Sequence, residues 1–240
     1  MAQYETIRSV GAGARTAQID EGLRAHMSKV YGLMAIGMAV TGVVAYGVGT
    51  NEVLLQAIFA TPLKWVVMFA PLAVVFAFGA MINRMSVATA QAVFYGFSAL
   101  MGLSISYIFA IYTGMSIATT FLTTAVAFAG LSLYGYTTKK DLSGFGTFLM
   151  MGVIGLFVAM IVNIFLQSDA VTFAISALGV LIFAGLTAFD TQRIKNTYLQ
   201  MAQAGDRDWL GKSAIMGALT LYLDFLNLFM FLLQFMGNRE

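Results

Sequence analysis

The sequence predicts an all-α membrane protein with seven transmembrane helices. The first observation behind this is composition. The 240-residue chain is 60% hydrophobic and 10% charged, with a mean hydropathy of +0.84, whereas a soluble domain carries about a quarter charged residues. The second is that charge is confined to short segments between apolar runs, and each run is long enough to cross a bilayer at about 20 residues per span. The third is an exception: two aspartates, Asp190 and Asp224, sit inside runs that are otherwise charge-free.

Residues 30–51 form the first expected span, behind a basic cytoplasmic tail of residues 1–29 that carries Arg8, Arg15, Arg24 and Lys29. That tail is too long and too mixed in charge for a signal peptide, so the first span should act as an uncleaved anchor. Glycines at 32, 37, 42 and 47 are spaced by five rather than four, which suggests close packing spread around this helix rather than one glycine face. Thr61-Pro62 breaks the chain before a second span at 65–83. Residues 85–138 contain no charge, so they hold two helices, with Tyr112-Thr113-Gly114 as the turn. A fifth span covers 142–168 and a sixth 170–189. The sixth should continue past Asp190, because Ile194, Tyr198 and Leu199 keep an apolar stripe at helical spacing. Residues 209–237 form the seventh, and the seven-helix domain as a whole covers 30–238.

Alternating loops sort the basic residues by side. Arg8, Arg15, Arg24, Lys29, Arg84, Lys139, Lys140, Arg193, Lys195, Arg207 and Lys212 fall on one side, against Lys64 and Arg239 on the other. The positive-inside rule then places the N-terminus in the cytoplasm and the C-terminus outside.

Composition also excludes function classes. There are no cysteines, which removes disulfides, thiol catalysis and cysteine metal sites. The single histidine, His26, cannot build a metal site alone. A net charge of +2 gives no footprint for nucleic acid, and Gly144-Phe-Gly146 lacks the preceding strand of a nucleotide-binding turn. No cofactor and no catalytic residue are assigned.

The aspartates carry the functional argument. A charge at bilayer depth costs on the order of 3 kcal/mol, so it persists where it pairs, lines a wet path or does chemistry. Positions 190 and 224 are equidistant from 207, within the polar Asp206-Arg207-Asp208 turn. An antiparallel hairpin closing there brings both to one depth, roughly 25 Å from the tip at about 1.5 Å per residue. Read alone, Asp190 is also consistent with a first solvated residue at the end of an apolar run, and Asp224 with a neutral, hydrogen-bonded packing group. Tyr222 and Asn227 add polarity beside Asp224. Arg84, at the end of the second span, is expected either to snorkel or to act as the counter-charge of Asp190. Two close carboxyls cannot both ionise cheaply in a low dielectric. Sharing one proton, they latch helix six to helix seven; without it they repel. An ionised pair in a wet path would also hold Ca²⁺ transiently, since hard cations take oxygen ligands.

At these residues the chain resembles the Bax inhibitor-1 family, also called the transmembrane Bax inhibitor motif family, over about residues 30–235. The most specific stretches are Phe189-Asp190 with Ile194-Lys195, and Leu221-Tyr-Leu-Asp224-Phe-Leu-Asn-Leu-Phe229; Leu100-Met-Gly-Leu-Ser104 and Tyr136-Thr-Thr-Lys-Lys-Asp-Leu-Ser143 agree with it. The resemblance implies six helices wrapped around a central C-terminal helix. It implies that Asp190 and Asp224 are a pH-sensing, gating pair with Arg84 in hydrogen-bonding reach. It also implies a passive Ca²⁺ leak or, in bacterial members, modulation of membrane proteases. Ser106-Tyr107 stands where some members have Gly-Pro, a departure that bears on helix bending and on transport.

The expected function is therefore a pH-sensitive cation leak, with Ca²⁺ as the permeant ion, in the lipid bilayer of a bacterial inner membrane. The alternative is a regulatory protein that binds a membrane protease or translocation machinery through its basic tail. An enzyme is not expected. An intramembrane aspartyl protease would need glycines around the second aspartate that Leu221-Tyr-Leu-Asp224 lacks. A coupled transporter would show an inverted repeat or a broken helix pair.

Overall fold

The computed structural model describes residues 2–201 and 207–238, with side chains for 18–201 and 208–238. Eight α-helices follow one another: α1 (Ala2–Gly49), α2 (Glu52–Phe59), α3 (Leu63–Met81), α4 (Val87–Ile105), α5 (Gly114–Thr137), α6 (Ser143–Leu166), α7 (Asp169–Met201) and α8 (Arg207–Met236). All but the short α2 are long and apolar enough to cross a membrane, and no strand occurs among the described residues. The protein is an integral membrane protein of the expected class.

Local chemistry accounts for the boundaries. Asn51, Ser86 and Thr113 each sit in extended backbone and accept a hydrogen bond from the N–H three residues on, at the starts of α2, α4 and α5; these are the residue types that cap helix N-termini. The long uncharged stretch divides at Thr113, as expected, after a 3₁₀ segment, Ser106–Ala110. The α6–α7 turn is tight. Gln167 takes φ 49°, and Asn163 binds across the turn to Thr172 and to the Ser168 N–H. The α7–α8 tip falls at 202–206, outside the described residues. There is no break between residues 29 and 30: α1 is one helix, and Leu23 and Met27, within the expected tail, pack against Tyr198 of α7.

α8 is the central element. Two-thirds of its spanning window (67%) is buried, against 11–33% for the other six spans. α1, α4, α5 and α7 pack directly on it, while α3 lies chiefly against α4 and α6 against α7. Its core face presents Ile215, Leu221, Tyr222, Leu228 and Leu233, all nearly fully buried. Lipid tails are as apolar as leucine, so such a core is held by close packing and interhelical hydrogen bonds rather than by exclusion of water. Glycine permits the closest approaches. A Cβ on Gly135 of α5 would meet the Ala188 carbonyl of α7, and one on Gly102 of α4 the Thr41 carbonyl of α1. The regular glycines of α1 do not share this use. Only Gly37 of the four meets a neighbour, at Phe94 and Ser98; Gly32, Gly42 and Gly47 face open space.

Candidate functional site

The α7–α8 hairpin brings Asp190 and Asp224 together. Their carboxyls lie within hydrogen-bonding reach of one another, and the residues are 6% and 5% exposed. The expected closing point does not explain this pairing. α7 ends at Met201 and α8 begins at Arg207, so Asp190 stands 11 residues before the end of its helix and Asp224 17 residues into its own. The packing of α7 on α8 brings the carboxyls together. Asp190 is not the first solvated residue of its helix: Thr191 and Gln192 after it are 0% and 5% exposed, and α7 runs on to Met201.

Asp224 Oδ2 is buried, and no N–H or hydroxyl among the described residues donates to it. A buried carboxylate oxygen without a donor is costly. The group facing it is the Asp190 carboxyl, and two carboxyls bond only when one carries a proton. Such a pair can be joined by one shared proton between α7 and α8.

The cation beside the pair is Arg193, not Arg84. Arg193 Nη1 lies 3.8 Å from Asp190 Oδ1, one turn along the same helix, with its side chain 69% exposed. Arg84 is exposed. It closes the 3₁₀ turn Ile82–Arg84 that ends the α3 span, and the ion pair to Asp190 is made by Arg193 instead. Of the roles expected for Arg84, the snorkelling one agrees with its place and the counter-charge one does not. The i, i+3 spacing of Asp190 and Arg193 was readable in the sequence, where Arg193 was counted only as a topology-setting charge.

A cavity of about 190 Å³ reaches Asp190 from the end of the bundle that carries the basic loops. Arg193, Thr197, Ser213 and Thr220 give it a polar wall, and His26 closes one side, its ring 4.9 Å from that of Tyr198. Toward the other end of the bundle the packing is apolar and largely aromatic. Phe225 meets Phe121 and Phe128 at 5.4 and 5.5 Å, and Phe183 stacks on Phe231 at 5.7 Å. The pair thus sits between a polar cavity and apolar, aromatic packing.

Tyr222 and Asn227, expected to add polarity at Asp224, are engaged elsewhere. The Tyr222 hydroxyl shares a 2.7 Å hydrogen bond with Thr41 Oγ1, which also lies 2.8 Å from the Ser98 carbonyl, tying α8 to α1 and α4. Asn227 donates to the Leu223 carbonyl within its own helix. Two further clamps hold α7 beside the pair, and neither was visible in the sequence. Gln192 accepts from the Leu142 N–H at 2.9 Å and donates to the Lys140 carbonyl at 2.7 Å, pinning the α5–α6 loop. Lys195 donates to the Tyr136 carbonyl at 2.6 Å. Among the described residues no cluster of three or more acids or histidines exists, so the pair offers a cation two carboxyls and the neighbouring hydroxyls.

Comparison with known proteins agrees with this arrangement. The family described as "Inhibitor of apoptosis-promoting Bax1" matches residues 23–240. An uncharacterized protein of Caulobacter vibrioides is 48% identical, over 97% of this chain and 96% of its own length. The inner membrane protein YbhL of Escherichia coli K12 is 45% identical, over 91% of this chain and 94% of its own. An uncharacterized protein of Rickettsia prowazekii is 44% identical, over 95% of both.

Proposed function

The chain belongs to the Bax inhibitor family, and from that premise and the buried carboxyl pair we propose that it is a passive, pH-gated cation leak with Ca²⁺ as the permeant ion. The observation that carries this reading is the position of the pair, at the floor of a polar vestibule and beneath an aromatic seal. With one proton shared, Asp190 and Asp224 latch α7 to α8 and the seal stays closed. When the proton leaves, two anions face each other in a low dielectric and push the helices apart. Water and a hydrated cation then follow the vestibule past the pair. Two carboxyls, with hydroxyls from Thr220 and Ser213, attract a hard cation without the six to eight ligands that would trap it, as a leak requires.

A cavity of about 190 Å³ takes water or an ion but not an extended peptide, which separates this pair from a proteolytic one. The inner membrane protein YbhL as a relative supports a bacterial inner membrane as its location, and the excess of basic residues on one side of the spans supports a cytoplasmic N-terminus and an external C-terminus. The test is purified protein in liposomes loaded with a Ca²⁺ dye, followed across a pH series for wild type, Asp190→Asn and Asp224→Asn. Flux that rises with pH in wild type and loses its pH dependence in both variants is expected. Flux no greater than that of empty liposomes at every pH would end the proposal.

A further inference from the structure

α1 and α5 both pack on α8 and meet one another at the Tyr31–Ser132 hydrogen bond, with cavities on either side of that bond along their seam. Three cavities follow one another along it. One of about 620 Å³ lies at the basic end, between Arg24, Ser28 and Tyr31 of α1 and Ser132 and Tyr136 of α5. A second, also about 620 Å³, runs from Tyr31 to Val43 and is floored by Phe225 of α8. A third of about 590 Å³ continues past Tyr46. The walls change character along the seam. The first cavity carries a guanidinium and hydroxyls among apolar neighbours such as Met27, Phe128 and Leu133, whereas Ala35, Ala39, Gly42 and Ala125 line the second. Those small side chains are what keep the groove open.

We propose that this seam is a binding site for an anionic phospholipid from the leaflet at the basic end, its phosphate at Arg24 and one acyl chain in the groove between α1 and α5. Two features of the site choose this occupant. Length is the first: Tyr31 to Val43 spans roughly 18 Å of helix at about 1.5 Å per residue, close to one leaflet of a hydrocarbon core about 30 Å thick. Charge is the second. Arg24 stands at the mouth, Lys195 Nζ lies 5.5 Å from the ring centre of Tyr136 on the α5 wall, and basic pockets between helices select anionic headgroups. A partner helix would fit the apolar part but would leave the guanidinium without a matching charge.

Occupancy has a route to the rest of the bundle. Tyr31 lines both the polar and the apolar cavity. Its hydroxyl shares a 2.5 Å hydrogen bond with Ser132 of α5, and Ser132 shares one of 2.9 Å with Thr191, the residue after Asp190. A lipid seated here therefore presses on the hydrogen-bonded chain that sets α7.

The experiment is native mass spectrometry of the full chain equilibrated with mixed micelles of phosphatidylglycerol and phosphatidylcholine. Wild type should retain phosphatidylglycerol preferentially. Arg24→Gln should cut that preference about fivefold, the effect of one basic residue at a membrane surface. Ala39→Phe, at an exposed groove position, should displace the lipid without touching the headgroup site. Equal retention of the two lipids by wild type, or unchanged retention in Ala39→Phe, would overturn the proposal. Because the chain has no cysteine, Ala39→Cys also tests the competing occupant in vesicles of the same lipids. Disulfide-linked dimers forming faster than with the lipid-facing Val126→Cys would mean that a second copy fills the groove and would overturn the lipid assignment. Equal rates support it.

Discussion

Replacing Asp224 by Asn keeps the volume of the side chain and removes one of two titrating groups, so it isolates the repulsion that opens the α7–α8 latch. In hydrogen-bonding reach the two charge centres are about 4 Å apart, and at an effective dielectric of about 20 their repulsion is on the order of 4 kcal/mol. That is about three decades in the ratio of released to latched hairpin, enough to turn a mostly closed population into a mostly open one. Asp224→Asn deletes the whole term, because an amide beside a carboxylate is attractive in either state of the remaining acid. The hairpin should then stay latched at every pH. Asp190→Asn should do the same, and the double variant should add little, since the two residues act as one unit. Spin labels on Asn196→Cys of α7 and Asp208→Cys of α8, both exposed, report the separation from acid to alkaline pH. Wild type should show a growing long-distance population as pH rises, and the variants should not. A full pH-dependent separation in both single variants would refute the reasoning, because the repulsive term would be absent while the motion persisted.

Arg193→Gln should move the pH midpoint of hairpin release upward, since it removes the cation that favours the ionised pair. With the guanidinium 69% exposed, the shift should stay below about half a unit, in line with the small worth of exposed ion pairs; Arg84→Met should leave the midpoint unchanged in the same spin-label titration. Gly135→Val should cost on the order of 1–3 kcal/mol by overpacking, because its side chain would drive into the Ala188 carbonyl; a thermal melt in detergent should fall accordingly, whereas the exposed Gly32→Val should melt near wild type. A reporter fused after Glu240 that works only in the cytoplasm should be silent; activity there would reverse the proposed topology. Asp141 should not contribute to gating near neutral pH. Its hydrogen bond from the Ser143 N–H holds its carboxyl below the usual carboxylate range, so what it contributes is present above that range and is lost only as pH falls through the lowered value. Asp141→Asn should therefore leave the flux profile above pH 5 unchanged.

The hairpin was legible in the sequence because a short polar segment near 207 separates two long apolar runs, each with one aspartate inside it. Its register was not legible: α7 ends at Met201 and α8 begins at Arg207, so the two arms differ in length and the helix packing, not the spacing from 207, sets the carboxyls side by side. Membrane class and span number were legible because bilayer thickness sets the length of an apolar run: charge separates most of the runs, and the charge-free 85–138 divides by its length and at Tyr112-Thr113-Gly114. The central place of α8 came from the family resemblance, and no periodicity in 209–237 announced it.

What stayed hidden is which way each helix faces. A soluble helix reveals its buried side by contrast with its polar one, but a spanning helix is apolar all round, and its lipid side and its protein side look alike. Gly37 and Gly42 illustrate this. They belong to the same regular series in α1, yet Gly37 admits Phe94 of α4 while Gly42 opens on the α1–α5 groove. Arg84 and Arg193 illustrate it again. Both stand at the basic end, but Arg84 is an exposed residue closing a 3₁₀ turn while one helical turn sets Arg193 against Asp190. Polar residues that bond across helices break the ambiguity, because they must face protein, whereas Thr119 and Thr123 bond to their own helix and stay exposed. Thr41 finds Tyr222, Tyr31 finds Ser132, and Gln192 finds the backbone of the α5–α6 loop. In a helix with no polar face, these few side chains define the interior, and three of the contacts that orient the aspartate pair are built from them.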